Sequence, residues 1–464
     1  MDAILAATTI RQKRQALDRM ASGLGLQDAY NTTLDRIRQQ DGGKSKLGMA
    51  VLMWVSRCER PLLWAELRHA LGVDLVAEEF TIDNVPSART VLGCTLGLIT
   101  IDENTSTVRL LHLTLQEYLG ASPTVFETPQ SMMAEICLTY LNTLSFQAPH
   151  PTSDMALDMA LAESPFLEYA TRFWGTHAAR EVTEEVKSRA FRLLDGYESH
   201  VSALILLKEK RWVLWFGEEI YGISGLHCIA FWGIAEIAIA MLEKKRWDVN
   251  GQDSKGDTPF MWAIRYGHSR VVKLLLEQGD IKPDVIVWHG RTVLSFAAES
   301  GNEDVVKLLL GRWDVNPDHS DNSGQTPLLY AASGGSESVV KLLLEREEVN
   351  PDSPDIGGRT PLSFAASGGH EGIVQLLLER KEVNHDSPDR NGRTPLSFAV
   401  ARGRQGIVKL LLGRGDVNPN HSDRTGRTPL FYANNSGDRG VLNLLLEHYG
   451  LNPNSQDIND WTFL

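Results

Sequence analysis

The sequence predicts a mainly α-helical protein, an α-solenoid of stacked helix pairs over residues 221–464 preceded by a smaller region of helices and one β-hairpin. Three observations predict it. Thr258, Thr292, Thr326, Thr360, Thr394, Thr428 and Thr462 stand 34 residues apart, and Ser224 holds the same phase one period earlier. Between them, apolar residues recur at helical spacing in short runs that each bury one face. Ahead of the repeat, helical periodicity runs through residues 45–220, broken by β-rich segments at Leu98–Ile101 and Val108–Leu113 around Asp102-Glu103-Asn104.

The length leaves room for roughly three domains. A chain with 42% hydrophobic and 23% charged residues has the composition of a globular protein with a sizeable core. Its net charge of -13 opposes sequence-independent nucleic-acid binding, which depends on Lys and Arg displacing phosphate counterions. Cys58, Cys94, Cys137 and Cys228 are far apart and form no C-x-x-C, so they read as reduced thiols of an intracellular protein. The run between Asp2 and Arg11 is too short for a signal peptide, and the longest apolar segment, Gly225 to Leu242, carries His227 and Glu236. No targeting or membrane-spanning segment is expected. The location expected is cytoplasmic; nuclear entry would rest on Lys244-Lys245-Arg246 and Lys208 to Arg211, which read as solvated helix ends.

Residues 1–44 read as a helical arm, with Tyr30, Leu34 and Ile37 at helical spacing. Gly43-Lys44-Ser45 resembles the tail of a phosphate-binding loop, but Arg38 stands where that loop needs its first glycine, and no strand precedes it. Asp41-Gly42-Gly43 therefore reads as an interhelical turn, Ser45 as the N-cap of the next helix, and Leu47, Ala50, Val51, Trp54 and Val55 as that helix's apolar stripe. Two helices, a hairpin and a further helix over residues 45–122 make a winged-helix-like domain, and residues 123–220 a helical linker domain.

The repeat unit is clearest in GRTPLSFAASGGHEGIVQLLLERKEVNHDSPD, residues 358–389. Thr-Pro opens a helix, since proline's fixed φ suits the first turn. Ala365-Ala366 lets two short helices approach, Gly368-Gly369 ends the first, and Ile373, Val374, Leu376, Leu377 and Leu378 are the buried face of the second. Val383 and Asn384 then leave the helix, and Asp389 with Gly392 makes a tight turn that projects as a finger. One unit cannot bury both faces, so neighbours stack.

This pattern, T-P-L-x-x-A-A-x-x-G-x-x-x-V-V-x-L-L-L, resembles the ankyrin repeat over residues 221–464, in about seven units plus a truncated last one that ends Asp460-Trp461-Thr462-Phe463-Leu464 and reads as a cap or a cut end. The period exceeds the usual 33. Relative to the family pattern the second helix ends one residue earlier and the finger, Asn316 to Asp321 for instance, is two residues longer, so fingers should protrude further. Val285, Ile286, Val287 and Trp288 make one finger apolar, either for a partner or for packing on a neighbouring finger. Asn434 replaces the second small alanine and suggests looser packing there.

His319-Ser320-Asp321, His385-Asp386 and His421-Ser422-Asp423 recur at finger bases, which points to turn satisfaction; catalysis would need one convergent pocket. No catalytic residue, cofactor or metal is expected. Arg291, Arg359, Arg393 and Arg427 share the position before Thr, either as a basic stripe for a partner's carboxylates or in pairs with Asp355, Asp389 and Asp423. The positions that stacking leaves free place partner contacts at Lys255, Tyr266, Trp288, Arg291, Arg359, Arg393, Arg402 and Arg427, with Lys307 and Lys341 on the opposite face.

VRLLHLTLQEYL, residues 108–119, resembles the element next to the ATPase core in NACHT signalling proteins, on its C-terminal side, and CERPLLWAELRHALGV (58–73), MAEICLTYLN (132–141) and PFLEYATRFWGTHA (165–178) resemble the corresponding segments of fungal NACHT–ankyrin proteins. The resemblance implies that His112 could face a nucleotide's phosphates; with no P-loop or Mg²⁺-binding acidic strand in this sequence, it reads as a packing or capping residue. Together the two resemblances imply a non-catalytic scaffold or adaptor that binds protein, in regulation or signalling; the acidic charge and the lack of a spanning segment add the expectation of no direct nucleic acid and no membrane. The alternatives are an ankyrin-type transcription coregulator and the detached sensor half of a NACHT-type ATPase.

Overall fold

The computed structural model describes residues 24–143, 160–197, 200–203, 205, 222–244, 246–279, 281 and 288–449. They fall into two compact units, Met1–Trp247 and Asp248–Leu464. Features expected at residues 2–11, 208–211, 245, 285–287 and 451–464, and the Trp288 side chain, lie outside the described residues.

In the first unit, α1 (Leu24–Arg38) and α2 (Gly43–Arg57) are joined by a short turn. The helix start differs from expectation. Ser45 is not the cap: Gly42 holds that position at φ 63°, a backbone that glycine tolerates, and the Ser45 hydroxyl lies inside the first turn, donating to the Arg38 carbonyl at 2.9 Å. Lys44 thus belongs to a helix that comes directly after another helix, without the strand a phosphate-binding loop requires. The buried face of α2 is broader than one stripe, with Val51, Leu52, Met53 and Trp54 all inside, while Leu47, Ala50 and Val55 are half-buried.

Next come α3 (Trp64–Leu71), the short strands β1 (Val73–Asp74) and β2 (Glu79–Phe80), α4 (Ala88–Cys94), and the hairpin β3 (Ile99–Ile101) with β4 (Val108–Leu110). β3 and β4 run antiparallel with Ile99 opposite Leu110. At the turn, an Asp102 carboxylate oxygen accepts the N–H groups of Asn104 at 3.0 Å and Thr105 at 3.1 Å. The Leu62 carbonyl accepts from the Val108 N–H at 2.9 Å, adding a short extended segment beside the hairpin. Three helices with a hairpin so arranged make a winged helix. The β1–β2 pair was not foreseen, since two residues per strand leave no periodic signal. His112 caps α5 (Leu113–Ala121): its Nδ1 accepts the Thr114 N–H at 3.3 Å, on an exposed corner, in accord with the capping reading.

The core of this unit is aromatic. Trp54 meets Phe166 and Tyr169 edge-on at 5.4 and 5.7 Å, and Tyr140 stands against Phe166 at 5.2 Å, bringing α2 together with α6 (Pro129–Thr143) and α7 (Leu167–Arg180). Through it runs a polar thread. The Glu59 N–H donates to the Tyr169 oxygen at 3.1 Å, and Tyr169 lies 3.0 Å from His177 Nε2. His177 Nδ1 lies 2.7 Å from Gln130 Oε1, which fixes the proton on Nδ1 because the amide oxygen only accepts. After α8 (Glu184–Leu194), the first helix pair in repeat phase, α9 (Gly225–Trp232) and α10 (Ala235–Glu243), packs within this same unit. The approach is close enough to require glycine. A Cβ added at Gly175 would come within 2.3 Å of the Trp232 ring, and one at Gly225 within 2.6 Å of the Leu194 carbonyl oxygen.

The second unit is a stack of helix pairs. First helices are Pro259–Arg265, Val293–Ser300, Pro327–Gly334, Pro361–Gly368, Pro395–Ala401 and Pro429–Ser436, and second helices are Ser269–Leu276, Glu303–Leu310, Glu337–Leu344, Glu371–Leu378, Gln405–Leu412 and Arg439–Tyr449. Thr258, Thr292, Thr326, Thr360 and Thr394 cap the first helices, each hydroxyl accepting an N–H three residues on at 3.3–3.4 Å. Gly369 ends its helix at φ 91°. Ile373, Val374, Leu377 and Leu378 are buried as expected, but Leu376 is only half-buried. Asn434 is exposed where Ala332, Ala366 and Val400 are buried.

Among the described residues, four fingers are each tied to the one before by a backbone hydrogen bond: Asn322 to the His289 carbonyl, Ile356 to Ser323, Arg390 to Gly357 and Arg424 to Asn391, at 2.8–2.9 Å. These bonds demand close passage. A Cβ at Gly392, whose φ is 82°, would lie 2.9 Å from the Arg424 nitrogen.

Candidate functional site

The side of the array formed by fingers and first helices repeats one constellation. An aspartate opens five of the finger turns, Asp253, Asp321, Asp355, Asp389 and Asp423, while Val287 holds that phase in the unit of Thr292. One oxygen of the aspartate accepts from the backbone of the same turn, as Asp389 does from the N–H groups of Asn391 and Arg393 at 2.8 Å each. Four residues beyond the capping threonine, the first helix carries an aromatic residue: Trp262, Phe296, Tyr330, Phe364, Phe398 and Tyr432, again 34 residues apart.

What the second carboxylate oxygen binds depends on that aromatic residue. Where it has a donor, it takes the oxygen: Trp262 Nε1 donates to Asp253 at 3.0 Å, Tyr330 to Asp321 at 2.6 Å and Tyr432 to Asp423 at 2.5 Å. In the units with Phe364 and Phe398, the arginine before Thr takes it with two N–H groups. Arg359 reaches Asp355 at 3.0 and 2.8 Å, and Arg393 reaches Asp389 at 3.0 and 2.7 Å. Those guanidinium groups lie over Phe364 and Phe398, 4.4 and 4.6 Å from the ring centres.

This resolves the arginine stripe unevenly. Arg359 and Arg393 are paired inside the array, as one of the two sequence alternatives has it. Arg291 pairs instead with Glu299 at 2.5 Å and lies 3.9 Å from the ring centres of both Phe296 and Tyr330. Arg427 does not pair with Asp423 through its side chain: Tyr432 holds that oxygen, and the Arg427 guanidinium lies 5.4 Å from the Phe431 ring centre with its Nε buried and unbonded. Burial raises the Asp423 carboxyl, but hydrogen bonds from Thr425, Tyr432 and the backbone outweigh it and hold the group below its ordinary value.

Of the other expected contact residues, Lys255 is half-buried in the turn closed by Asp253, and Tyr266 ends the first helix against Trp262, with ring centres 6.2 Å apart. Arg402 is exposed at the end of Pro395–Ala401, with no carboxylate partner among the described residues. It lines a shallow recess of about 340 Å³ with Ser333, Arg359, Phe364, Ser367, Phe398 and Arg404. Arg404, which sequence reasoning passed over, stands before the second helix, its Nε 3.4 Å from the Ser367 carbonyl. Its signal was comparative: the same phase holds His268, Asn302, Ser336, His370 and Asp438 elsewhere. On the second helices, Lys307 and Lys341 are closed off by Glu303 and Glu337 one turn away.

The finger histidines His385 and His421 are structural contacts. His385 Nδ1 lies 2.8 Å from Asp416 and His421 Nδ1 3.7 Å from Asp386, each joining neighbouring units. Among the described residues no group of His, Cys, Asp and Glu is disposed to hold a metal, and no helix is long and apolar enough to cross a membrane. All four thiols are shielded: burial pushes Cys228 up to about 12 and the half-buried Cys58 up to about 11, and raises Cys94 and Cys137 too.

The family model of ankyrin repeats matches residues 196–287, 226–320, 294–389, 347–423 and 375–457, more than half of the chain. The chain is an ankyrin-repeat protein. A second model, the winged helix domain of GPI inositol-deacylase, matches residues 34–127 of this ankyrin-repeat protein, the segment in which α2, α3, α4 and the β3–β4 hairpin lie. No curated protein matches the chain. An ankyrin array is a protein-interaction scaffold, and its fold is typically non-catalytic.

Proposed function

We propose that the chain is a non-catalytic adaptor in a regulatory or signalling assembly, working in the cytoplasm and holding a protein partner against the fingers and first helices of its ankyrin array. The observation that carries this reading is the constellation of that side: aromatic rings and arginines recurring in repeat phase, with two cations beside them that have no carboxylate partner among the described residues, Arg402 exposed and Arg427 half-buried. Arg291, Arg359 and Arg393 would act as flat, internally neutralised platforms, while Arg402 and Arg427 would meet the partner directly, with Lys255, Tyr266 and Trp288 extending the surface toward the first units. The helix in the third position of the winged helix, Ala88–Cys94, carries a single basic residue, Arg89, which favours a protein partner over nucleic acid.

The test is affinity purification of the tagged full chain, with mass spectrometry of the proteins that co-purify, and then an alanine scan against the partner identified. Arg402→Ala and Arg427→Ala should each weaken binding by about tenfold or more, with Lys307→Ala and Lys341→Ala near neutral. The reverse pattern would defeat the assignment.

One observation favours a second reading, the sensor half of a NACHT-type ATPase acting with a core on another chain. Leu111 and Leu113 flank His112 at 63% and 67% exposure, an apolar pair at the corner that the NACHT resemblance assigns to the core. If so, Leu111→Asp with Leu113→Asp should abolish co-elution with a recombinant NACHT core in ATP, and a chain that never co-elutes with such cores would refute it.

A further inference from the structure

Charge is not spread evenly along the array. Residues 299–352 contain eleven Asp and Glu against four Lys and Arg, whereas residues 389–427 contain eight Lys and Arg against three Asp, in a chain whose net charge is -13. The three aspartates of the basic segment are already engaged: Asp389 by Arg393, Asp423 by Tyr432, and Asp416 by His385 at 2.8 Å. That leaves Arg402 and Arg404 at the recess and the exposed finger-tip residues Arg390 and Arg424 without a carboxylate among the described residues. Arg427, half-buried beside Phe431, likewise has no carboxylate partner among the described residues. These cations have no carboxylate among the described residues to offset them, which is the condition that an oppositely charged ligand meets.

The recess itself has the chemistry of a carboxylate subsite. Arg402 and Arg404 supply forked N–H donors, Ser333 and Ser367 line the same hollow, and Phe364 and Phe398 add apolar surface for a side-chain stem. Arg359 closes one edge with its charge already spent on Asp355, so it shapes the hollow rather than adding to its charge.

We propose that the segment 389–427 is a docking site for an extended acidic peptide of a partner protein, with one Glu or Asp side chain in the recess between Arg402 and Arg404, and neighbouring carboxylates at Arg390, Arg424 and Arg427. This deepens the adaptor reading and rests on it. Ser333 apart, the residues of the site lie outside the acidic segment 299–352, so the same chain repels such a peptide along that segment and biases it toward the basic end of the array.

The test is fluorescence anisotropy of a labelled oligo-glutamate peptide with the full chain. Binding should weaken as salt rises, and Arg402→Glu with Arg404→Glu should reduce affinity by at least about tenfold. Lys307→Glu with Lys341→Glu, an equal change of net charge on the second helices, should stay within about twofold. Circular dichroism melts of the two double variants separate loss of binding from loss of fold, and Arg402→Gln supplies a neutral substitution should the reversal unfold. Equal loss in both double variants would mean that only net charge is sensed, and would overturn the site. Tighter binding of a single-stranded oligonucleotide of the same charge, lost with the same arginines, would assign the surface to phosphates and overturn it too. Retention of the adaptor's own partner by the Arg402→Glu, Arg404→Glu variant would remove this site, and the Arg402 contact with it, while an adaptor that binds through its other contacts would still stand.

Discussion

Tyr330→Phe and Tyr432→Phe delete the same hydroxyl from the same position of two ankyrin units, yet they should differ in cost. Each hydroxyl donates to an ionised carboxylate, at 2.6 Å to Asp321 and at 2.5 Å to Asp423, a contact whose loss costs about 1.5–3 kcal/mol. In the Tyr432 unit a replacement stands ready. Arg427 comes four residues after Asp423, as Arg359 does after Asp355 and Arg393 after Asp389, and with Phe in place those arginines bind the carboxylate with two N–H groups. Because Arg359 and Arg393 are 41% and 36% exposed, such a pair returns only about 0.2–1 kcal/mol. The Tyr330 unit has Gln325 at that position, and the arginine over its ring, Arg291 of the preceding unit, is already held by Glu299. Urea unfolding monitored by circular dichroism should therefore show Tyr330→Phe to be the more costly by up to about 1 kcal/mol. Adding Gln325→Arg to Tyr330→Phe should recover that difference, and adding Arg427→Gln to Tyr432→Phe should abolish it. Equal costs in the two single variants, with no effect of either added substitution, would refute the exchange of donors.

The packing sets three further outcomes. Leu377→Ala empties a fully buried site between stacked second helices and should cost about 2–5 kcal/mol, read as a fall in Tm; an unchanged Tm would contradict the repeat phase. Gly392→Ala forces a side chain into a left-handed backbone and against the Arg424 nitrogen, and should cost about 1–3 kcal/mol in the same unfolding assay. Burial, opposed by Glu59 and aided by Arg180, lowers His177 from 6.5 to about 4. The unfolded chain then takes up a proton that the folded one refuses, so stability falls as pH drops from 6.5 toward 4, by about 3 kcal/mol in all, and levels off below. His177→Gln should flatten that part of the profile measured by chemical unfolding across pH.

What the sequence made legible was set by residues whose backbone preferences are local. Thr-Pro at first helices, Gly369 at a helix end and the Asp–Gly finger turns each dictate a conformation within a few residues, and the 34-residue interval repeats the instruction until it is unmistakable. The hairpin turn at Asp102 was legible for the same reason. The arginine stripe was only half legible, because the fate of Arg427 is decided by whether an aromatic ring nine residues beyond Asp423 carries a hydroxyl, a contact made across the helix start. Ser45 misled because it looks like a cap, while glycine's freedom at Gly42 moved the helix start earlier. Arg404 was hidden by standing at a variable position. The packing of α9 against Gly175 and Leu194 joins residues far apart in sequence, which no periodicity encodes.

The single bond that ties a finger to its predecessor bears on how such a chain changes length over generations. Every joint between Asn322 and Arg424 offers one amide and receives one carbonyl, with nearly the same offset along the chain. A gene that gains or loses a block of one full period re-forms an equivalent joint, whereas a gain or loss of one codon inside a finger leaves a donor opposite the wrong acceptor. The joints therefore favour changes of length in whole periods, which keep each amide opposite its carbonyl, over single-residue changes confined to one finger.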